Sequence, residues 1–117
     1  MQAIAEAAAL GTRLGLPRDL LLDTLAKTAV VAPAHAGKLA TAKKNDYAPQ
    51  FPIRLMHKDF GLILSVAAPH GLSMPVTEAA AAVNSAEADS GIEEDFSAVI
   101  RRMEQEPGAA SILQPVA

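Results

Sequence analysis

Three features of the sequence predict an all-α fold. Half of the 117 residues are apolar, and Ala and Leu, which head the helix-propensity ranking, dominate that half. The strand formers are scarce: β-branched residues are few and aromatic residues make up only 3%. The 8 prolines and 7 glycines divide the chain into about six stretches of helical periodicity. This length allows one domain. A chain of this size buries roughly two thirds of its unfolded surface, enough for a modest core without disulfide or metal. The absence of Cys agrees with this and leaves the redox compartment open.

The first stretch, Gln2 to about Leu14, sets Ile4, Ala7, Ala8, Leu10 and Leu14 near one face and stops at Gly15, a natural C-cap. Pro17 opens the second at its first turn, where a missing N–H costs nothing, and Leu20, Leu21, Thr24 and Leu25 continue it. The pair reads as an αα-hairpin with a short connection. A β-branched run from Thr28 breaks the pattern before Pro33. A short third helix is expected from about Ala34 to Thr41, then a polar loop from Lys43 to Pro49. The fourth should start at Pro52 and run to about Ala68, where Pro69 and Gly71 stop it. Pro75 begins an Ala-rich fifth helix that ends near Gly91, its small side chains allowing close helix approach. Asp95 or Ser97 caps a sixth through Phe96, Val99, Ile100 and Met103. Periodicity ceases after Pro107, so a flexible tail is expected over 107–117.

Charge narrows the functional classes. Ten Lys and Arg against 13 Asp and Glu give a net charge of −3, which argues against a dedicated nucleic-acid binder. Lys43-Lys44 and Arg101-Arg102 are the only paired cations, so no basic stripe exists. The N-terminus has no charged region followed by an apolar one, and no stretch approaches the ~18 consecutive uncharged apolar residues of a membrane span. A soluble cytoplasmic domain with neither nucleic-acid nor membrane partner is the expectation.

The common nucleophile signatures are missing. There is no thiol, no Gly-x-Ser-x-Gly elbow and no Ser-x-x-Lys pair. No Gly-x-Gly-x-x-Gly or Walker loop is present to cradle a nucleotide. His35, His57 and His70 lack metal-ligand spacing, so surface or helix-end roles are expected and no metal site. The fourth helix stands apart. On a helical wheel Leu55, Leu62, Val66, Ile63, Met56, Ala67 and Phe60 form one arc, and Asp59 falls near its middle. A carboxylate aimed into apolar surroundings requires strong hydrogen bonds or a cation, so Asp59 is expected to be buried, either stapling a neighbouring helix or serving a pocket. Lys58 borders the arc beside a strip of small residues, Gly61, Ser65 and Ala68, and reads either as a snorkelling surface lysine or as a site residue.

The run Phe51-Pro52-Ile53-Arg54-Leu55-Met56-His57-Lys58-Asp59-Phe60-Gly61-Leu62 resembles the Phe-x-x-x-Leu-Met-x-Lys-Asp-Leu-x-Leu signature of the β-hydroxyacid dehydrogenases, such as 3-hydroxyisobutyrate dehydrogenase, tartronate semialdehyde reductase and glyoxylate/succinic semialdehyde reductase. Further parts come in the family's order over about 100 residues: Gly15-Leu16-Pro17, Asp46 to Phe51, Gly71 to Thr77, Gly91, and Asp95 to Ile100. The resemblance implies the helical C-terminal domain of these enzymes, similar to that of 6-phosphogluconate dehydrogenase, over 1–106. It implies that Lys58 contacts NAD or NADP, that Phe51 and Asp59 shape the cofactor and substrate pocket, and that the domain helps form oligomers. The family's catalytic lysine and Rossmann unit lie upstream of the matched segments, and neither has a counterpart here. Lys38, in His35-Ala36-Gly37-Lys38, imitates the catalytic element but follows the first two helices instead of preceding them, so no catalytic residue is assigned. Met1 falls inside a family helix, which suggests an N-terminally truncated domain that binds no cofactor tightly and is inactive alone. The alternative is a module that forms a homodimer or completes a separate Rossmann partner, with the Ala-rich N-terminal helix as the contact.

Overall fold

A computed structural model describes residues 1–107. Six α-helices account for most of them: α1 (Gln2–Arg13), α2 (Arg18–Ala26), α3 (Pro33–Lys43), α4 (Ile53–Ala67), α5 (Pro75–Ala88) and α6 (Val99–Gln105). One-turn 3₁₀ segments follow α4 (Ala68–His70) and precede α6 (Phe96–Ala98). No strand occurs among the described residues, and no helix there is long and apolar enough to cross a membrane. The expected tail lies outside the described residues, apart from Pro107.

The helices begin and end for the reasons read from the sequence, with small shifts. Gly15 takes φ +90°, a left-handed conformation that glycine adopts without penalty, and the chain turns there from α1 into α2. Pro17 and Pro52 prove to be N-caps, one residue before their helices, whereas Pro33 and Pro75 occupy the first turn. The third helix is one residue longer at its start and two at its end than expected. Arg18 holds that end, donating to the carbonyls of Ala42 and Lys43 while its Nε reaches Glu104 at 2.8 Å. Of the two candidate caps for the last helix, Asp95 serves: its Oδ1 accepts from the Ser97 N–H at 3.1 Å and starts the 3₁₀ turn that leads into α6.

α1 packs on α6, α2 on α3, and α4 on α5. Ala5 and Ala8 are fully buried on α1, and such small side chains let α6 come close. At Gly11 the approach of α2 is tighter still, since a Cβ there would lie 2.6 Å from Leu21 Cδ2. The core joins Leu22, Val31, Leu39, Tyr47, Ile53, Val99 and Ile100, so every helix except α5 contributes a fully buried residue to it. α4 is the exception to amphipathic burial. Only Ile53 and Ala67 of its 15 residues are buried, although its apolar arc is wide.

Ile100 is completely buried at the centre of that core. Ile100→Ala should therefore lower unfolding free energy by about 2–5 kcal/mol, read as a shift of the urea midpoint at unchanged slope.

Candidate functional site

The site is organised by the loop between α3 and α4. Residues 47–53 of this loop pair with residues 94–96: Asp95 N donates to Tyr47 O, Phe96 N to Phe51 O, and Ile53 N to Glu94 O, at 2.9–3.0 Å. These bonds bring Phe51 to the foot of α4, where its ring meets Phe96 edge to face with centroids 6.0 Å apart. Phe96 also receives the edge of His35 at 6.2 Å, and Lys38 Nζ stands 5.3 Å from its centroid.

Asp95 is the most deeply buried carboxylate among the described residues, its side chain 2% exposed. Its Oδ2 accepts from Lys38 Nζ at 2.7 Å and from the Gln50 and Phe51 amides at 3.1 and 3.0 Å. Burial alone would push its carboxyl up. The Lys38 bond and the Phe51 and Ser97 N–H donors outweigh burial and hold it at about 2. Lys38 is committed to this pair and to Gln50 Oε1, so its role is to tie α3 to the loop.

Asp59 is not buried, contrary to the expectation. Its side chain is 44% exposed, and its ion-pair partner is the adjacent Lys58, with Nζ 3.2 Å from Oδ1 and Lys58 itself 60% exposed. The wheel placed Asp59 correctly on the apolar arc. That arc, however, is open along most of α4, so solvent meets the need that buried donors would otherwise have met. Phe51, Lys58 and Asp59 thus come together only in part. Phe51 is anchored and half-buried at the start of α4, while Lys58 and Asp59 project from the same helix roughly 8 Å further along its axis, at 1.5 Å rise per residue.

Beside Asp59, α4 turns Met56 and Phe60 into a cleft of 320 Å³ closed by the start of α1, by His35, by Phe96 and by α5. Asn84 of α5 lines it, almost wholly buried. Its Nδ2 donates to Ala80 O at 3.0 Å, which leaves Oδ1 with no donor, and Gln2 Oε1 is likewise unpaired. Both oxygens are almost wholly shielded from solvent, so the cleft presents a mainly apolar lining and not an open pair of acceptors. Sequence reading missed this wall, because Gln2, His35 and Asn84 come from three helices and share no spacing. An Asn amid the Ala run of α5 was the one visible hint.

A family profile described as the NAD-binding region of NADP-dependent 3-hydroxyisobutyrate dehydrogenase matches residues 1–103. The chain belongs to this dehydrogenase family. Glyoxylate/succinic semialdehyde reductase 1 of Arabidopsis thaliana is 37% identical over 101 residues, covering 86% of this chain and 35% of that protein. The 2-(hydroxymethyl)glutarate dehydrogenase of Eubacterium barkeri is 30% identical over 112 residues, 94% of this chain and 37% of that protein. The crystal structure of 3-hydroxyisobutyrate dehydrogenase from Salmonella typhimurium superposes with a TM-score of 0.77 at 29% identity, over 86% of this chain and 35% of that one. The chain therefore spans about a third of the length of the relatives it matches. Lys58 and Asp59 lie together on the 15-residue helix α4 of this shared fold.

The Asp95 carboxyl sets a pH dependence of known sign. Its folded pKa of about 2 lies below the ordinary 3.8, so the unfolded chain takes up the proton first. The contribution, about 2 kcal/mol, is complete above pH ~5 and vanishes as pH falls toward 2. In urea titrations Asp95→Asn should be less stable than the native chain at neutral pH, with the gap narrowing by that amount between pH ~5 and 2. A constant gap would exclude the ion pair as its source.

Proposed function

We propose that this chain is the helical substrate-side half of an NAD(P)-dependent 3-hydroxyacid dehydrogenase of the 3-hydroxyisobutyrate type, and that by itself it does not turn over. The observation that carries the reading is the placement of Lys58-Asp59 on the open face of α4, with Phe51 anchored at its foot, in a fold shared with a solved dehydrogenase. The residues fit a dinucleotide from one side only. Lys58 is exposed and, among the described residues, paired only with its neighbour, so its ammonium is available to an anionic or carbonyl oxygen of the cofactor. The 117 residues contain no glycine-rich phosphate cradle, so the nucleotide-binding half has to come from elsewhere in a complete enzyme. When bound, the nicotinamide supplies the hydride acceptor for a secondary or primary alcohol. Phe51 gives the pocket a fixed aromatic wall, and Asp59 tethers Lys58 and biases its direction.

A second reading, a docking module that completes a separate Rossmann chain, draws on the turn between α1 and α2. Ala5, Ala8 and Ala9 of α1 are already buried, yet Leu10, Leu14, Leu16 and Leu20 remain exposed together around that turn. The two readings differ in what Leu10→Glu/Leu14→Glu does. It should abolish activity when the halves are supplied as separate chains and spare it when they are joined.

The test is to fuse the chain behind the nucleotide-binding half of the Arabidopsis reductase and follow NAD(P)H absorbance with short 3-hydroxy acids and semialdehydes. The fusion should turn over and the chain alone should not. Lys58→Ala in the fusion should raise the cofactor KM about 10–100-fold, the loss of one charge-assisted hydrogen bond. Turnover by the purified chain alone would overturn the claim of inactivity, and an unchanged KM would overturn the role of Lys58.

A further inference from the structure

We infer, on the dehydrogenase reading of the Phe51 pocket, that Lys38 is a positioning residue of that site: through Asp95 and Phe96 it fixes the aromatic wall and so sets the affinity for substrate. In sequence Lys38 imitates a catalytic lysine, standing in His35-Ala36-Gly37-Lys38. The structure gives its ammonium another role. The side chain is 12% exposed, and Nζ donates to Asp95 Oδ2 at 2.7 Å and to Gln50 Oε1 at 3.0 Å while standing 5.3 Å from the centroid of the Phe96 ring. Each of these three partners is a neighbour of Phe51, in the chain or in space.

Together they close a circuit around the Phe51 backbone. Asp95 Oδ2, held by Lys38, accepts from the Gln50 and Phe51 amides at 3.1 and 3.0 Å, so one oxygen gathers the cation and both N–H groups. The Phe51 carbonyl accepts from Phe96 N at 3.0 Å. The main chain of Phe51 is thus tied on both sides of its Cα, which leaves the ring only its side-chain rotations. The Phe96 ring restricts those in turn, meeting Phe51 edge to face at 6.0 Å. Phe96 is itself held by His35 and Lys38, which share one face of α3 at a spacing of three residues. Both Phe rings are half-buried, so each still presents surface to a ligand. An ammonium suits this place because it has several donors to divide between a carboxylate and an amide oxygen, and a charge to set against a ring. Closure of the fold does not rest on it alone. The main-chain bonds between 47–53 and 94–96 and the two amides on Asp95 remain available without Lys38. What its loss removes is the tie between the aromatic wall and α3. A displaced wall weakens ground-state and transition-state binding alike, which raises KM and spares kcat.

The chain has only 3 Phe residues, which serve as reporters. With 4-fluorophenylalanine in the full chain, Lys38→Met should move the fluorine signals of Phe51 and Phe96 more than that of Phe60, at unchanged helical circular dichroism, and Lys38→Arg should restore them. In the fusion with the Arabidopsis nucleotide-binding half, Lys38→Met should raise the KM for the hydroxy acid about 10-fold while kcat and the cofactor KM stay within about two-fold, and Lys38→Arg should recover most of that loss. Should Lys38→Met not fold, Lys38→Gln, which keeps a donor toward Asp95, takes its place with the same readouts. Unmoved Phe51 and Phe96 signals in a folded variant overturn the inference. So does an unchanged substrate KM in an active fusion, and so does a loss that falls on kcat instead. A fusion that fails to turn over with Lys38 intact counts against the dehydrogenase reading, and the fluorine spectra of the chain alone then decide whether Lys38 holds the wall.

Discussion

The Asp95 carboxylate is the contact through which three parts of the chain become one fold. It accepts from Lys38 of α3, from the amides of Gln50 and Phe51 in the loop before α4, and from Ser97 at the turn that starts α6. A buried carboxylate with four donors is inexpensive to keep charged, and losing any of them leaves part of a desolvated anion unpaired. The main-chain bonds between 47–53 and 94–96 lie in the same place, so the side-chain pair and the backbone pairing support each other. Phe51 stands where it does because its own amide is one of the four donors. The position of the proposed pocket wall is thus a by-product of how the domain closes.

From that foot α4 runs outward with two different halves. The inner half carries Arg54, His57, Lys58 and Asp59, and the outer half carries no charge at all. Both share the wide apolar arc, and in this chain only Ile53 and Ala67 find cover. The role proposed for the inner half follows from charge: an ammonium near the loop for an anionic cofactor. α5 accompanies α4 along the hairpin, and its Ala80 and Asn84 close the cleft between them.

Several polar clusters that look like chemistry are structural. Arg101 pairs with Glu94 and Glu87 while lying over the Tyr47 ring, and Arg102 joins Glu87, binding the end of α5 to α6. Arg18 does the same for α2, α3 and α6. No group of three metal-ligating side chains occurs among the described residues. The proposed function rests instead on the open, weakly partnered Lys58-Asp59 pair. The proposal takes that pair as one wall of a dehydrogenase site, in a family of which the matched reductase and dehydrogenase relatives are covered by this chain to about a third.

The helical class, the six segments, their proline starts and glycine stops, and the family motif were all legible in the sequence, because each depends on residues near one another in the chain. Propensity, capping and φ restrictions act locally, which is why the boundaries differ by no more than about three residues. Two matters were decided by tertiary structure alone. Lys38 and Asp95, 57 positions apart, form the central ion pair through a loop whose course no local rule prescribes. Asp59 sits on an apolar arc that periodicity located correctly, yet it is solvent-exposed. A helical wheel reports which residues share a face; only the packing of the other helices determines whether that face is covered.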